Sequence, residues 1–155
     1  SWRVAILPYI EQAAMYRAMK LDQAWDSDAN QVITSTIIPI FNNREELDTK
    51  TTLRVPYFPG SLWHGDGAPK SFRDVRDGSS KTIAIIDAPV DAAVEWANPE
   101  PWVISEEDPM SDIFGDRDEV AVGLLDGAAM VLKREDMTNE KLKAMLTIAG
   151  GEIIE

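Results

Sequence analysis

A chain of 155 residues suffices for one core, since domains commonly hold about 100–150 residues and bury about two thirds of their unfolded surface at that size. Its apolar fraction of 45% and charged fraction of 27% belong to a folded protein rather than a disordered one. Fifteen Lys and Arg against 27 Asp and Glu leave a formal charge of −12, which repels nucleic acid and anionic lipid surfaces, and the lack of cysteine excludes disulfides, thiolate metal sites and cysteine nucleophiles.

In chain order, Pro8 to Lys20 sets Ile10, Ala13, Ala14, Met15 and Met19 among Glu11, Gln12 and Arg17, near the 3.6-residue period, and predicts one amphipathic helix. Ahead of it, Trp2 to Leu7 reads as a short strand or as that helix's own first turn. Asp22 to Asn30 is turn-like and acidic, and a short helix over Ala29 to Ser35 stops at the extended Ile37 to Phe41. Asn42 to Lys50 is a polar loop. Brief β-prone runs then alternate with breakers: Thr52 to Tyr57, the Pro59-Gly60 turn, a loop from His64 to Pro69, and Thr82 to Ile86 after Asp77-Gly78.

Glu119 to Leu125 and Ala128 to Leu132 flank Asp126-Gly127, the dipeptide of two-residue hairpin turns. Thr138 caps a helix reaching Ile148, Gly150-Gly151 stops it, and Glu152-Ile153-Ile154 makes a short strand. No repeat, low-complexity tract or linker interrupts the chain. The expected fold is α+β: an N-terminal helix packed on an irregular antiparallel sheet, a β-hairpin at Asp126-Gly127 and a short C-terminal helix, in a single globular domain over residues 1–155. No apolar run approaches the about 18 residues that span a bilayer. The start at Ser1-Trp2-Arg3 carries neither an initiator Met nor a leader, so the expectation is the soluble part of a longer chain.

Tests for chemistry give no positive assignment. The one histidine, His64, lies among turn residues outside any Gly-x-Ser-x-Gly elbow, and a single imidazole cannot build a His-rich zinc site. Asp26-x-Asp28-x-Asn30 begins like a calcium loop, yet Gln31 stands where the loop needs Gly and Ile37 where it needs Glu. Asp116, Asp118 and Glu119 form a second acidic group, of the kind usually just solvated. Asp77-Gly78-Ser79-Ser80-Lys81-Thr82 lacks the glycines of a phosphate loop. No catalytic residue, cofactor or metal is therefore expected. Of five tryptophans, Trp63, Trp96 and Trp102 fall in loop-like contexts, where exposed indoles stack on sugars or form interfaces; the plainer reading is that they fill the core.

The string Ser1-Trp2-Arg3-Val4-Ala5-Ile6-Leu7-Pro8-Tyr9-Ile10-Glu11-Gln12, with Leu21-Asp22 and Trp25-Asp26-Ser27-x-x-Asn30, resembles the signature of the "domain of unknown function 1559" family, formerly labelled bacterial solute-binding protein family 10. The likeness continues through Arg54-Val55-Pro56-Tyr57-x-Pro59-Gly60, Asp74-x-x-Asp77-Gly78-Ser79-Ser80-x-Thr82-Ile83, Ala93-Val94-x-Trp96-x-x-Pro99-Glu100, Leu125-Asp126-Gly127 and Ala149-Gly150-Gly151-Glu152. The family's usual His ten positions before the Asp-Gly is Asp116 in this chain. The family is abundant in planctomycetes, and its members typically carry a prepilin-type leader and hydrophobic helix upstream.

The resemblance implies a pilin-head-like fold and a non-catalytic pilin- or pseudopilin-like surface subunit of the type II secretion kind. It would be extracellular or in the cell envelope, with other protein subunits as partners, and neither nucleic acid nor membrane in contact with this part of the chain. The alternative is an extracellular solute- or glycan-binding module using loop tryptophans and carboxylates, favoured if Trp63 and Trp96 line an open pocket. A hydrolase would require carboxylates with opposed pKa shifts in one pocket.

Overall fold

Ser1 accepts a hydrogen bond from the Arg3 backbone N–H and so caps helix α1 (Trp2–Ile6), which runs directly into a 3₁₀ turn at Leu7–Tyr9. In the computed structural model, which describes residues 1–43, 46–65 and 71–151, the chain groups into two compact units. The first comprises Ser1–Thr52 with Ala93–Glu100, the second Leu53–Ala92 with Pro101–Glu155.

In the first unit the single helix expected over Pro8 to Lys20 is two pieces. Pro8 has no N–H to continue the α1 ladder, and Glu11 adopts φ 63°, a left-handed residue at which the Gln12 N–H reaches back to the Leu7 carbonyl at 2.9 Å. That closes α1 and its 3₁₀ extension in a Schellman-type stop, and α2 (Ala13–Ala18) begins afresh. Left-handed backbone costs a non-glycine residue about 1–2 kcal/mol. Because Glu11 is exposed, Glu11→Gly should raise unfolding free energy by about 1 kcal/mol in urea titration, and a loss of stability would show that the turn is not the strained element.

Helix α3 (Asp28–Thr34) falls close to its expected place, and strand β1 (Lys50–Thr51) pairs antiparallel with β5 (Val94–Glu95). The core of this unit gathers Val4, Leu7, Met19, Ile38, Phe41, Trp96 and Ala97. Trp96 is 1% exposed, stacks on Phe41 at 6.0 Å between centroids, and donates its indole N–H to the Thr36 carbonyl at 3.0 Å. Arg3, buried beneath the Trp2 ring at 4.9 Å, reaches the Trp96 carbonyl. The Trp2-Arg3 and Trp96 segments are thus parts of one aromatic cluster.

In the second unit β2 (Leu53–Arg54), β4 (Ile83–Asp87), β7 (Glu119–Leu124) and β8 (Ala129–Lys133) form one antiparallel sheet in the order β2-β4-β7-β8. Alternation along β7 buries Val120, Val122 and Leu124, as the period of two requires. The expected irregular antiparallel sheet is this one, and a separate short pair, β3 (Pro56–Tyr57) with β6 (Trp102–Val103), is parallel. Helix α4 (Pro109–Phe114) contacts β7, and α5 (Asn139–Leu146), capped by Thr138 as expected, contacts α4 and β4. Their apolar faces meet the sheet through Ile113, Phe114, Leu142, Met145 and Leu146. The expected strand at Glu152 to Ile154 lies outside the described residues, as does most of the loop from His64 to Pro69.

The β7–β8 hairpin lies where Asp126-Gly127 placed it, but its loop has three residues rather than two. Leu125 donates its N–H to Thr82 and Asp126 to Ser79, which draws both into the connection and leaves Gly127, at φ 90°, as the left-handed closing residue. No atom lies within 4 Å of a Cβ built there, so substitution is opposed by backbone strain alone. Gly127→Val should cost about 2 kcal/mol and Gly127→Asn clearly less, because Asn tolerates this region. Equal costs in thermal denaturation would place the effect elsewhere.

Candidate functional site

A chemically varied concavity in the first unit grows from the segment between α2 and α3. Asn30, 0% exposed, accepts the Lys20 N–H at 2.8 Å and donates to the Lys20 and Ala24 carbonyls at 3.0 and 2.9 Å, so its amide ties the 20–24 loop to α3. That clamp places Trp25, half-buried against the aromatic cluster, and exposed Asp26 at one wall. Positions 31, 34 and 35 share a helical face, so Gln31, Thr34 and Ser35 form the second wall. Both hydroxyls donate to the Gln31 carbonyl, Ser35 at 2.6 Å and Thr34 at 3.5 Å.

Thr49 and Glu95 close the cleft from the β1–β5 ribbon. The Trp96 N–H bonds the Thr49 carbonyl at 2.9 Å, and the Thr49 hydroxyl donates to Glu95 Oε2. The cleft is open to solvent and offers about 340 Å³, within the range of small-molecule sites. Among the described residues its lining combines one indole, two carboxylates, one carboxamide and three hydroxyls, and includes no basic and no aliphatic side chain. Such a surface accepts hydrogen bonds from a donor-rich ligand and offers an indole to an apolar ring face.

The remaining sequence candidates resolve differently. Asp26 stays on the cleft wall and Asp28 opens α3, while Asn30 is occupied as the clamp, so the calcium-like run does not converge on a common point. Among the described residues no group of three or more His, Asp or Glu is placed to hold a metal ion, the Asp116, Asp118 and Glu119 run included. His64 rests against the Tyr57 ring at 4.9 Å between centroids. Ser61, the nearest serine upstream, is buried and donates to the Pro56 carbonyl at 3.2 Å. Trp63 is half-buried with its indole N–H on the Ala84 carbonyl at 2.8 Å, and Trp102 packs on the second unit's core. Buried Trp96 presents no ring to solvent, and the indole lining this cleft is Trp25, a residue that the sequence shows only as part of a motif. Two carboxylates flanking a Trp in the folded chain have no sequence signal, since Asp26 and Glu95 are 69 positions apart by their numbers.

The phosphate-loop lookalike is a structural latch within the second unit. Asp77 accepts from the Gly150 and Gly151 N–H groups at 2.6 and 3.0 Å, the Arg76 N–H bonds the Ile148 carbonyl at 2.6 Å, and Thr82 donates to the Gly78 carbonyl at 3.1 Å. Asp77→Ala should cost about 1 kcal/mol and speed amide exchange at Gly150 and Gly151; unchanged exchange there would mean that the latch is not formed in solution. In the same unit Arg117 donates to the Asp87 and Ile113 carbonyls, both at 2.8 Å, and Arg134 donates to the Arg117 and Gly115 carbonyls while lying over the Phe114 ring. Burial lowers the Arg117 pKa from its ordinary value, and Asp87 and Asp91 oppose that shift. The pair serves as a cap for the end of α4, where carbonyls would otherwise lack donors.

Among the described residues no helix is long and apolar enough to cross a membrane. Comparison with curated proteins and with solved structures found no match for the chain. A family profile described as "Protein of unknown function (DUF1559)" matches residues 1–142. That span runs from the Ser1 cap through the Arg3–Trp96 cluster, Asp77 and the hairpin to Leu142 in the last helix, and the chain belongs to this DUF1559 family.

Proposed function

We propose that the chain is the globular part of a non-catalytic, pilin- or pseudopilin-like surface subunit, exported to the envelope or beyond and partnered by other protein subunits. The observation that carries this reading is where the motif residues make their bonds. Trp96 and Asn30 in the first unit, and Asp77 and Thr82 in the second, direct their polar groups into their own unit's backbone. A motif used in this way prescribes a shape to be displayed, whereas a catalytic motif leaves its polar atoms facing a substrate. The test is intact-mass measurement and N-terminal sequencing of the native protein from fractionated source cells. A processed, hydrophobic N-terminus upstream of Ser1 in the envelope or shed fraction supports the reading. A short cytosolic chain starting near Ser1 overturns it.

A second reading, capture of a small solute or glycan, is favoured by one observation, the polar cleft with Trp25 on its wall. Fluorescence and calorimetric titration against a panel of sugars tests it, and a panel without response removes it.

A further inference from the structure

We propose that the cleft lined by Trp25, Asp26, Gln31, Ser35, Thr49 and Glu95 takes an amino sugar, a pyranose ring carrying a protonated amine. The inference rests on the solute-capture reading and names its ligand class. Each chemical part of such a ligand has a counterpart on the walls. A pyranose has an apolar face of C–H groups, and an indole is the aromatic surface best suited to cover it. Its ring hydroxyls both donate and accept, which suits the Gln31 carboxamide and the Ser35 and Thr49 hydroxyls.

The amine is favoured by the charges. Asp26 and Glu95 bring two carboxylates to one concavity whose lining, among the described residues, contains no Lys, Arg or His, within a chain of formal charge −12. Lys50, opposite Glu95 in the β1–β5 register, offsets part of that charge, Asp26 keeps no basic neighbour on the cleft wall among the described residues, and an acidic sugar would be repelled. An ammonium group meets the Glu95 carboxylate in a charge-assisted hydrogen bond and gains further from the negative face of the indole. A simple diamine would satisfy the carboxylates but leave the exposed Gln31 carboxamide to water and offer no apolar face to the indole.

Glu95 is the better-placed carboxylate. It is half-buried, and the Thr49 hydroxyl on Oε2 orients it, while exposed Asp26 contributes a screened, weaker attraction. The site is also held before any ligand arrives, because Asn30 fixes the loop that leads to Trp25 and the β1–β5 pairing fixes Glu95.

The experiment titrates the intact chain with D-glucosamine, D-glucose, N-acetyl-D-glucosamine and putrescine, following heteronuclear NMR shifts over residues 25–35, 49 and 95. Glucosamine should bind at least about tenfold more tightly than the other three, a difference of about 1.4 kcal/mol. Glu95→Gln should weaken it about tenfold and Asp26→Asn about threefold. Trp25→Ala risks the aromatic cluster, so exposed Gln31→Ala serves as the second variant on the wall and should weaken glucosamine about threefold without moving the melting temperature. Equal binding of glucose and glucosamine would overturn the amine assignment and leave solute capture standing. Putrescine binding as tightly as glucosamine would overturn the sugar ring. No shift at these residues with any probe would overturn both the inference and the capture reading.

Discussion

Trp96→Ala should be among the most damaging single changes to the first unit, lowering its unfolding free energy by about 4–5 kcal/mol. Trp96 is 1% exposed, lies at the centre of a cluster with Phe41, Val4, Leu7 and Ile38, and donates to the Thr36 carbonyl at 3.0 Å. Truncation to Ala removes the stacking with Phe41, leaves a cavity larger than neighbours can close, and strips a buried carbonyl of its donor. Trp96→Phe separates these contributions, since it keeps most of the ring area and loses only the N–H bond and part of the volume. It should cost about half as much. Guanidinium unfolding followed by circular dichroism reads both, and a cost below about 1 kcal/mol for the Ala variant would show that the cluster is not what holds this unit together.

Asn30→Ala should lower stability by about 3 kcal/mol, more than its size suggests. The side chain makes three hydrogen bonds to main-chain groups while itself 0% exposed, so the change leaves the Lys20 N–H and the Lys20 and Ala24 carbonyls with one partner fewer. The near-isosteric Asn30→Asp should not rescue it. That variant keeps the acceptor for the Lys20 N–H but turns the donor toward the Lys20 and Ala24 carbonyls into a second acceptor carrying charge. At this chain length about 3 kcal/mol corresponds to a melting temperature lower by roughly 6–12 °C in scanning calorimetry. Were Asn30→Asp to melt with the parent protein, the clamp would have to be assigned to the backbone instead.

Much of the fold was legible before the structure. The hairpin at Asp126-Gly127, the Thr138-capped helix and the short α3 all depend on interactions spanning a few residues: a glycine free to take positive φ, a hydroxyl three residues from an N–H, a local period of apolar positions. The misread element is also local. The run Pro8 to Lys20 has a helical period, but Glu11 takes a left-handed conformation that periodicity cannot register. Loop length at the hairpin was missed for a different reason, since the bonds from Leu125 to Thr82 and from Asp126 to Ser79 cross 43 and 47 positions by their numbers.

The candidate site was hardly legible at all. Trp63, Trp96 and Trp102 stood out because loop residues flank them, yet burial is a property of the folded chain, and Trp96 proved central to a core. Trp25 lay unremarked within its motif. The residues of the calcium-like run parted company, one to a clamp and one to a cleft, because side-chain direction on a turn is set by what packs beneath it.

By itself the sequence determined the mixed α+β class, the acidic surface, the lack of any thiol chemistry and the family, all of which follow from residue type and local order. The tertiary structure alone decided which polar groups the fold consumes and which it leaves facing a cavity. The reason is that both outcomes depend on pairs such as Thr49 with Glu95, Arg3 with Trp96 and Asp77 with Gly150, brought within a few ångströms only after long segments of chain have closed.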